Sequence, residues 1–287
     1  MKRVVFGLCV VVLLGTPALA YLPRVITRCP PDAVLVGQIC VDAYEASVWQ
    51  VPPTNSSGLS NTQLIYRIKR GTVTLADLAA GNANLISPSS TSTCTPSEPG
   101  KDCSTCDAPV FPDTFPANGQ WTQPLYAVSV AGIQPTGCVS WFQAAQACRL
   151  SGKRLLTNLE WQDAAAGTPD TVGGADNGSS DCNINSGHAV HAGSRSNCKS
   201  SWGAFDMIGN VDEWVAEWVP YATGCPGWGS FSDDFMCFSG ANDTALGPAA
   251  LTRGGSFVFG ARSGVFAIFG GDLPYAKEGK VGFRCVR

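Results

Sequence analysis

Residues 203–214 read GAFDMIGNVDEW and place three carboxylates, Asp206, Asp212 and Glu213, among Phe, Met, Ile, Val and Trp. By residue type alone the stretch is a turn, with Asp206 capping a helix, Gly209-Asn210 forming a tight bend and Glu213 in solvent. Three other groups could carry chemistry. His188 and His191, the only histidines, are spaced H-x-x-H; with a carboxylate they could supply part of a non-haem iron site. The plainer reading is two exposed loop histidines. Cys103-Ser-Thr-Cys106 has redox spacing, but it lies in Pro- and Ser-rich sequence instead of opening a helix after a strand, so structural disulfides are expected there. Ser256, in GGSFV, does not satisfy G-x-S-x-G and shows no His–Asp partners, which leaves it a weak catalytic candidate.

The elements that must position these residues can be sketched from pattern. Residues 33–36 and 39–41 read as two short strands around Gly37, a hairpin. From about residue 50 to 125 the pattern weakens into an irregular, cysteine-bearing excursion, with TLADLAAG as one short helix. Ser140-Trp-Phe-Gln143 is a capping box before AAQACRL, and Thr157-Asn-Leu-Glu160 is a second before WQDAA; Gly152 and Gly167 stand where those helices would stop. Residues 168–202 are rich in Gly, Ser and Asn, too long for an idle connection. Trp141, Trp161, Trp202, Trp214 and Trp218 read mainly as core packing for a loop-rich fold, and secondarily as a binding platform.

The first twenty residues form a secretory signal peptide. Lys2 and Arg3 precede an apolar run, and Ala18-Leu19-Ala20 ends it, so the mature chain is expected to start at Tyr21 and to be periplasmic or secreted. The run is too short for a membrane span, and no later segment approaches one. Of 13 cysteines, Cys9 leaves with the signal, and the twelve that remain suit up to six disulfides. Local spacing favours Cys29 with Cys40, Cys182 with Cys198, and Cys225 with Cys237. Cys94, Cys103, Cys106 and Cys138 would pair among themselves, and Cys148 and Cys285 are left. Charged residues make up only 14% of the chain, the net charge is −3, and there is no basic cluster, so nucleic acid is not an expected partner. One domain over residues 21–287 with an insertion at about 50–125, and a monomer, are expected. Sequons occur at Asn55, Asn177 and Asn242.

Four stretches converge on one family. CVSWFQAAQACRLSGKRLLTNLEWQDAAAG, GAFDMIGNVDEW, LTRGGSF and VGFRC resemble, in order and spacing, motifs of the formylglycine-generating enzymes, or sulfatase-modifying factors. The resemblance covers roughly residues 29–49 and 126–287. It implies an α+β, loop-rich fold related to C-type lectins, held by several disulfides and often calcium-bound. It also implies a bridge between Cys148 and Cys285. One family calcium site falls on the side chains of Asp206 and Glu213 and the carbonyls of Gly209 and Val211; hard calcium takes such oxygen ligands. A second begins at Asn183 and Ile184, but its later Asp ligand has no counterpart here. Asp212 stands where relatives carry Trp and is expected to be exposed.

The family's oxidases hold copper(I) on two cysteines shortly after the GGS motif. Here no cysteine occurs between Cys237 and Cys285, and the matching positions are Phe259 and Gly264. Copper is therefore not expected. The first reading is an exported, calcium-stabilised binding or accessory module whose groove, near residues 256–272, takes a peptide, glycan or small molecule. The alternative is a non-haem-metal oxidoreductase, with iron as the metal, resembling the family's pyoverdine-maturation members.

Overall fold

A computed structural model describes residues 28–86, 123–170, 176–240 and 247–287. The signal peptide, Cys94, Cys103 and Cys106, and the sequon at Asn242 lie outside the described residues. Three sheets and four helices organise the rest. The hairpin pairs β1 (Ala33–Val36) with β2 (Ile39–Asp42), Val36 facing Ile39 across Gly37 at φ +57°. β2 also pairs with β12 (Cys285–Val286), which in turn pairs with β6 (Arg154–Leu155). The first and last strands among the described residues thus share one sheet.

A three-stranded sheet is ordered β4 (Asn84–Ile86), β3 (Ala46–Gln50), β5 (Leu125–Ser129). α1 (Thr62–Arg70) and α2 (Leu75–Ala80) pack over it through Leu64, Ile68 and Leu78. The α2 helix matches the expected TLADLAAG, with a capping box between Thr74 and Asp77. However, α1 and β4 correct the expectation of an otherwise irregular excursion. The i, i+4 pair Leu64 and Ile68, stopped by left-handed Gly71, drives a helix that no side-chain cap announces. Asn61 sits at its start but donates to the Pro52 and Gly81 carbonyls, tying α1 to α2.

Both other predicted helices form from their capping boxes: α3 (Trp141–Leu150) from Ser140 and Gln143, and α4 (Asn158–Ala165) from Thr157 and Glu160. The largest sheet has the order β11 (Val281–Phe283), β7 (Asp212–Pro220), β9 (Pro248–Arg253), β10 (Ile268–Asp272), β8 (Met236–Cys237). The fold is mixed α and β with long connections, as the composition implied. Trp161, Trp214, Phe257 and Phe283 are among the largest fully buried side chains. The packing reading holds for Trp161 and Trp214, whereas Trp202 and Trp218 are each 45% exposed.

The bridges Cys29–Cys40, Cys182–Cys198, Cys225–Cys237 and Cys148–Cys285 are all formed. Cys138 is disulfide-bonded as well. No helix among the described residues is long and apolar enough to cross a membrane.

Candidate functional site

The stretch GAFDMIGNVDEW is not a solvated turn. It is a buried crossing point, and β7 starts from its end. Asp206 and Asn210 both adopt left-handed φ, +57° and +55°, which asparagine and aspartate tolerate better than most residues. Gly209 is also left-handed, and a Cβ there would lie 2.4 Å from the Asn183 carbonyl oxygen, so only glycine fits. Asn210 is the hub. Its amide nitrogen donates to Glu45 Oε2 (2.5 Å) and Val190 O, and its Oδ1 accepts from Val190 N and Asn183 Nδ2, both at 2.9 Å. Val211 N donates to Glu45 Oε1 at 3.0 Å.

Two further carboxylates close around one cation. Glu213 accepts from Arg284 Nε at 2.8 Å on each oxygen, from Arg284 NH2 at 2.5 Å, and from Trp161 Nε1 at 2.7 Å. Arg284 also donates to the carbonyls of Asp42 and Phe205. Asp206 Oδ2 accepts from Gly193 N at 2.7 Å. Burial pushes Asp206 up to about 7, against the Gly193 hydrogen bond and the Arg284 charge. Glu45 is raised well above its ordinary value, by burial first and then by repulsion from Asp206 and Glu213.

The oxygens expected to hold calcium differ in how far they are already engaged. Glu213 is already engaged: both oxygens accept from Arg284, and one also accepts from Trp161. Asp206 Oδ1 and Asn183 Oδ1 are buried with no hydrogen-bond partner; a hard cation satisfies such oxygens. Ile184 O accepts from Gly260 N at 2.8 Å. Among the described residues, no group of three or more His, Cys, Asp and Glu side chains is arranged to hold a metal. His188 and His191 are both exposed, and His188 Nδ1 lies 3.0 Å from Ser186 O.

Downstream of Gly255 lie the two positions, Phe259 and Gly264, that match the family's copper cysteines. Phe259 stacks edge-on against Phe235 at 5.1 Å, with Arg262 and Lys280 each 5.6 Å from its ring centre. At Gly264 a Cβ would lie 1.8 Å from Asp234 Oδ1, so a cysteine cannot enter without displacing that carboxylate. Asp234 is held by the Phe266 N–H at 2.7 Å. Ser256 is fully buried, and its hydroxyl has no hydrogen-bond partner among the described residues.

Beside this segment lies a charged set that motif reading missed. Asp212 is 3% exposed, which corrects the expectation that it faces solvent. It accepts a hydrogen bond from the Gly255 N–H, and burial raises it to about 8 even with Lys280 close by. Lys280 pairs with Glu278 at 2.5 Å. Burial works against the Lys280 ammonium, but Glu278, Asp212 and Asp272 more than offset it and leave it raised. Asp272 is held well above the ordinary carboxylate range by burial first, then by its neighbour Glu278. Asp272 contributes stability that is full below the unfolded aspartate value, about 4, and is lost as pH rises through its raised folded value. Asp272→Asn is therefore expected to raise the Tm at alkaline pH and leave it unchanged at acid pH. Melting curves across pH for both proteins check this; parallel curves would refute it. The signal available in sequence was the recurrence of charge in DLPYAKEGK after a nearly uncharged stretch.

With this geometry in view, residues 66–287 match the sulfatase-modifying factor enzyme 1-like domain. The match begins inside α1, within the segment that the motifs left outside the resemblance. No curated protein matches the chain. Among solved structures, the Major Tropism Determinant P3c variant is 18% identical, with a TM-score of 0.44 over 90% of this chain and 52% of that one. The M1 variant is 22% identical, at 0.35 over 51% and 37%. PvdO from Pseudomonas aeruginosa is 17% identical, at 0.38 over 88% and 82%. The chain thus covers about half or less of these tropism determinants, and the likenesses concern the fold alone.

Proposed function

The chain belongs to the sulfatase-modifying factor enzyme 1-like domain family, and from that premise we propose that it is an exported binding or accessory module without thiolate copper chemistry. One observation carries this reading. The two positions where the family's oxidases place copper thiolates hold the Phe259 ring and a glycine whose side-chain space is filled by Asp234. Copper(I) prefers soft sulfur ligands, and every described cysteine is in a disulfide. Those disulfides also support an oxidising compartment. An aromatic cluster beside residues 256–272 supports ligand contact: Trp228, Phe231 and Phe266 are all exposed, with ring centres 6.2 Å and 4.8 Å apart along the row. A peptide, glycan or small molecule would lie there.

Metal analysis of the purified mature protein tests the reading, which predicts no stoichiometric copper or iron. Either metal bound one to one, and lost on changing His188 and His191, would instead support the oxidoreductase alternative. Calcium remains part of the proposal, held by Asp206 Oδ1 with the Gly209 and Val211 carbonyls, Glu213 being committed to Arg284. Chelator is expected to lower the Tm of wild type and to leave that of Asp206→Ala unchanged. A wild-type melting temperature indifferent to chelator would end the calcium proposal.

A further inference from the structure

The ends of the described chain meet at a pocket of about 410 Å³ lined by Arg28, Lys69, Arg70, Thr72 and Arg287, with Cys29, Pro30 and Pro31 forming one wall. The chain is sparse in charge and net acidic, yet four of its 19 Lys and Arg residues line this one pocket. They come from three separate segments. Arg28 precedes the hairpin, Lys69 and Arg70 end α1, and Arg287 follows β12. The Cys29–Cys40 bridge pins the proline wall to β2.

Of these four cations, Asp32 pairs only with Arg287. Asp32 takes Arg287 in a fork, NH1 to Oδ1 at 2.8 Å and NH2 to Oδ2 at 3.0 Å, and takes Lys153 Nζ at 2.9 Å. One carboxylate is thus already shared by two cations, and Asp42 serves the same Lys153 at 2.6 Å. Arg28, Lys69 and Arg70 form no ion pair with any described residue. Arg287 Nε is buried and has no hydrogen-bond partner. Lys69 and Arg70 suit the negative end of α1, but that accounts for neither Arg28 nor the orphaned Nε. The Arg287 carbonyl oxygen is engaged by the Cys40 N–H at 3.2 Å.

We propose that this pocket is an oxyanion site that binds the phosphate or sulfate group of a small molecule. Guanidinium groups present paired N–H donors that match such oxygens, and a lysine adds a mobile charge. The site shares no residue with 256–272 and does not depend on the reading given for them.

Titration calorimetry of the mature protein at low ionic strength, with inorganic phosphate and separately with inorganic sulfate, provides the test. Saturable binding of at least one anion is expected, weakened by added sodium chloride. The stronger of the two identifies the group the pocket prefers. Arg28→Gln/Lys69→Gln/Arg70→Gln should weaken it at least tenfold with an unchanged Tm, while Lys199→Gln, an exposed lysine elsewhere, should not. Arg70→Gln alone, at an exposed helix end, should give a smaller loss and serves if the triple variant does not fold. No binding of either anion, or the same affinity in wild type and the Arg28, Lys69 and Arg70 variants, would overturn the proposal.

Discussion

Arg284→Met is expected to destabilise the protein by about 3–5 kcal/mol, enough to unfold much of a domain of ordinary stability. Arg284 is 1% exposed and sits among three buried carboxyl groups, Glu45, Asp206 and Glu213. Burial works against its charge, but Glu213 first and then the other two hold the guanidinium raised and ionised. Removing it strands Glu213 with a single neutral donor, Trp161 Nε1, in a site too dry to hydrate a carboxylate. Three backbone carbonyls, those of Asp42, Phe205 and Asp206, lose a donor at the same time.

The source of the cost can be separated from the loss of packing. Glu213→Gln/Arg284→Met removes the stranded charge while leaving Trp161 its acceptor. The double variant is expected to recover part of the loss, with a coupling energy of about 1–3 kcal/mol in a double-mutant cycle. Arg284→Lys should restore little, because one ammonium cannot reach both Glu213 oxygens and three carbonyls as the planar guanidinium does. Denaturant unfolding of the four proteins gives the cycle. A loss under about 1 kcal/mol for Arg284→Met would mean that this cation does not hold the crossing point together.

That ion pair also shows what was legible in the sequence. The local devices were: the Gly37 hairpin, the capping boxes at Ser140 and Thr157, and the short disulfide loops all announce themselves within a few residues. The resemblance added the long Cys148–Cys285 bridge and singled out residues 203–214. The partners of those residues were not visible. Glu45 reaches Asn210 across 165 positions, and Arg284 reaches Glu213 across 71 and Asp42 across 242. No local pattern encodes such a pairing, so the guanidinium beside Glu213 was not visible from its motif. Asp212 misled for the same reason. A carboxylate beside Glu213 looks solvated until Gly255 and Lys280 are brought to it by β9 and β11. Only Glu45 left a trace, as a lone acid in the apolar run AYEASVW.

Removing the Cys148–Cys285 bridge, as Cys148→Ala/Cys285→Ala, is expected to cost about 2–5 kcal/mol. The bridge joins α3 to β12, spans 137 positions, and both cysteines are fully buried. In the chain-entropy account a disulfide stabilises by restricting the unfolded chain, so the loss should scale with the logarithm of the loop. Cys29–Cys40 closes only 11 positions. By that logarithm, Cys29→Ala/Cys40→Ala should cost about 2 kcal/mol less than the long-bridge variant. Position works in the same direction. β12 is held between β2 and β6 by short registers, Val286 on Val41 and Cys285 on Leu155, so the covalent tie supplements few hydrogen bonds there. Losing it should also loosen Arg284, the residue before Cys285, and with it the fork on Glu213. Combining Cys148→Ala/Cys285→Ala with Arg284→Met should therefore cost less than the two losses added. Denaturant unfolding under oxidising conditions measures all three. Equal losses for the two bridges would refute the entropic account, and strict additivity with Arg284→Met would show that the bridge and the ion pair act independently.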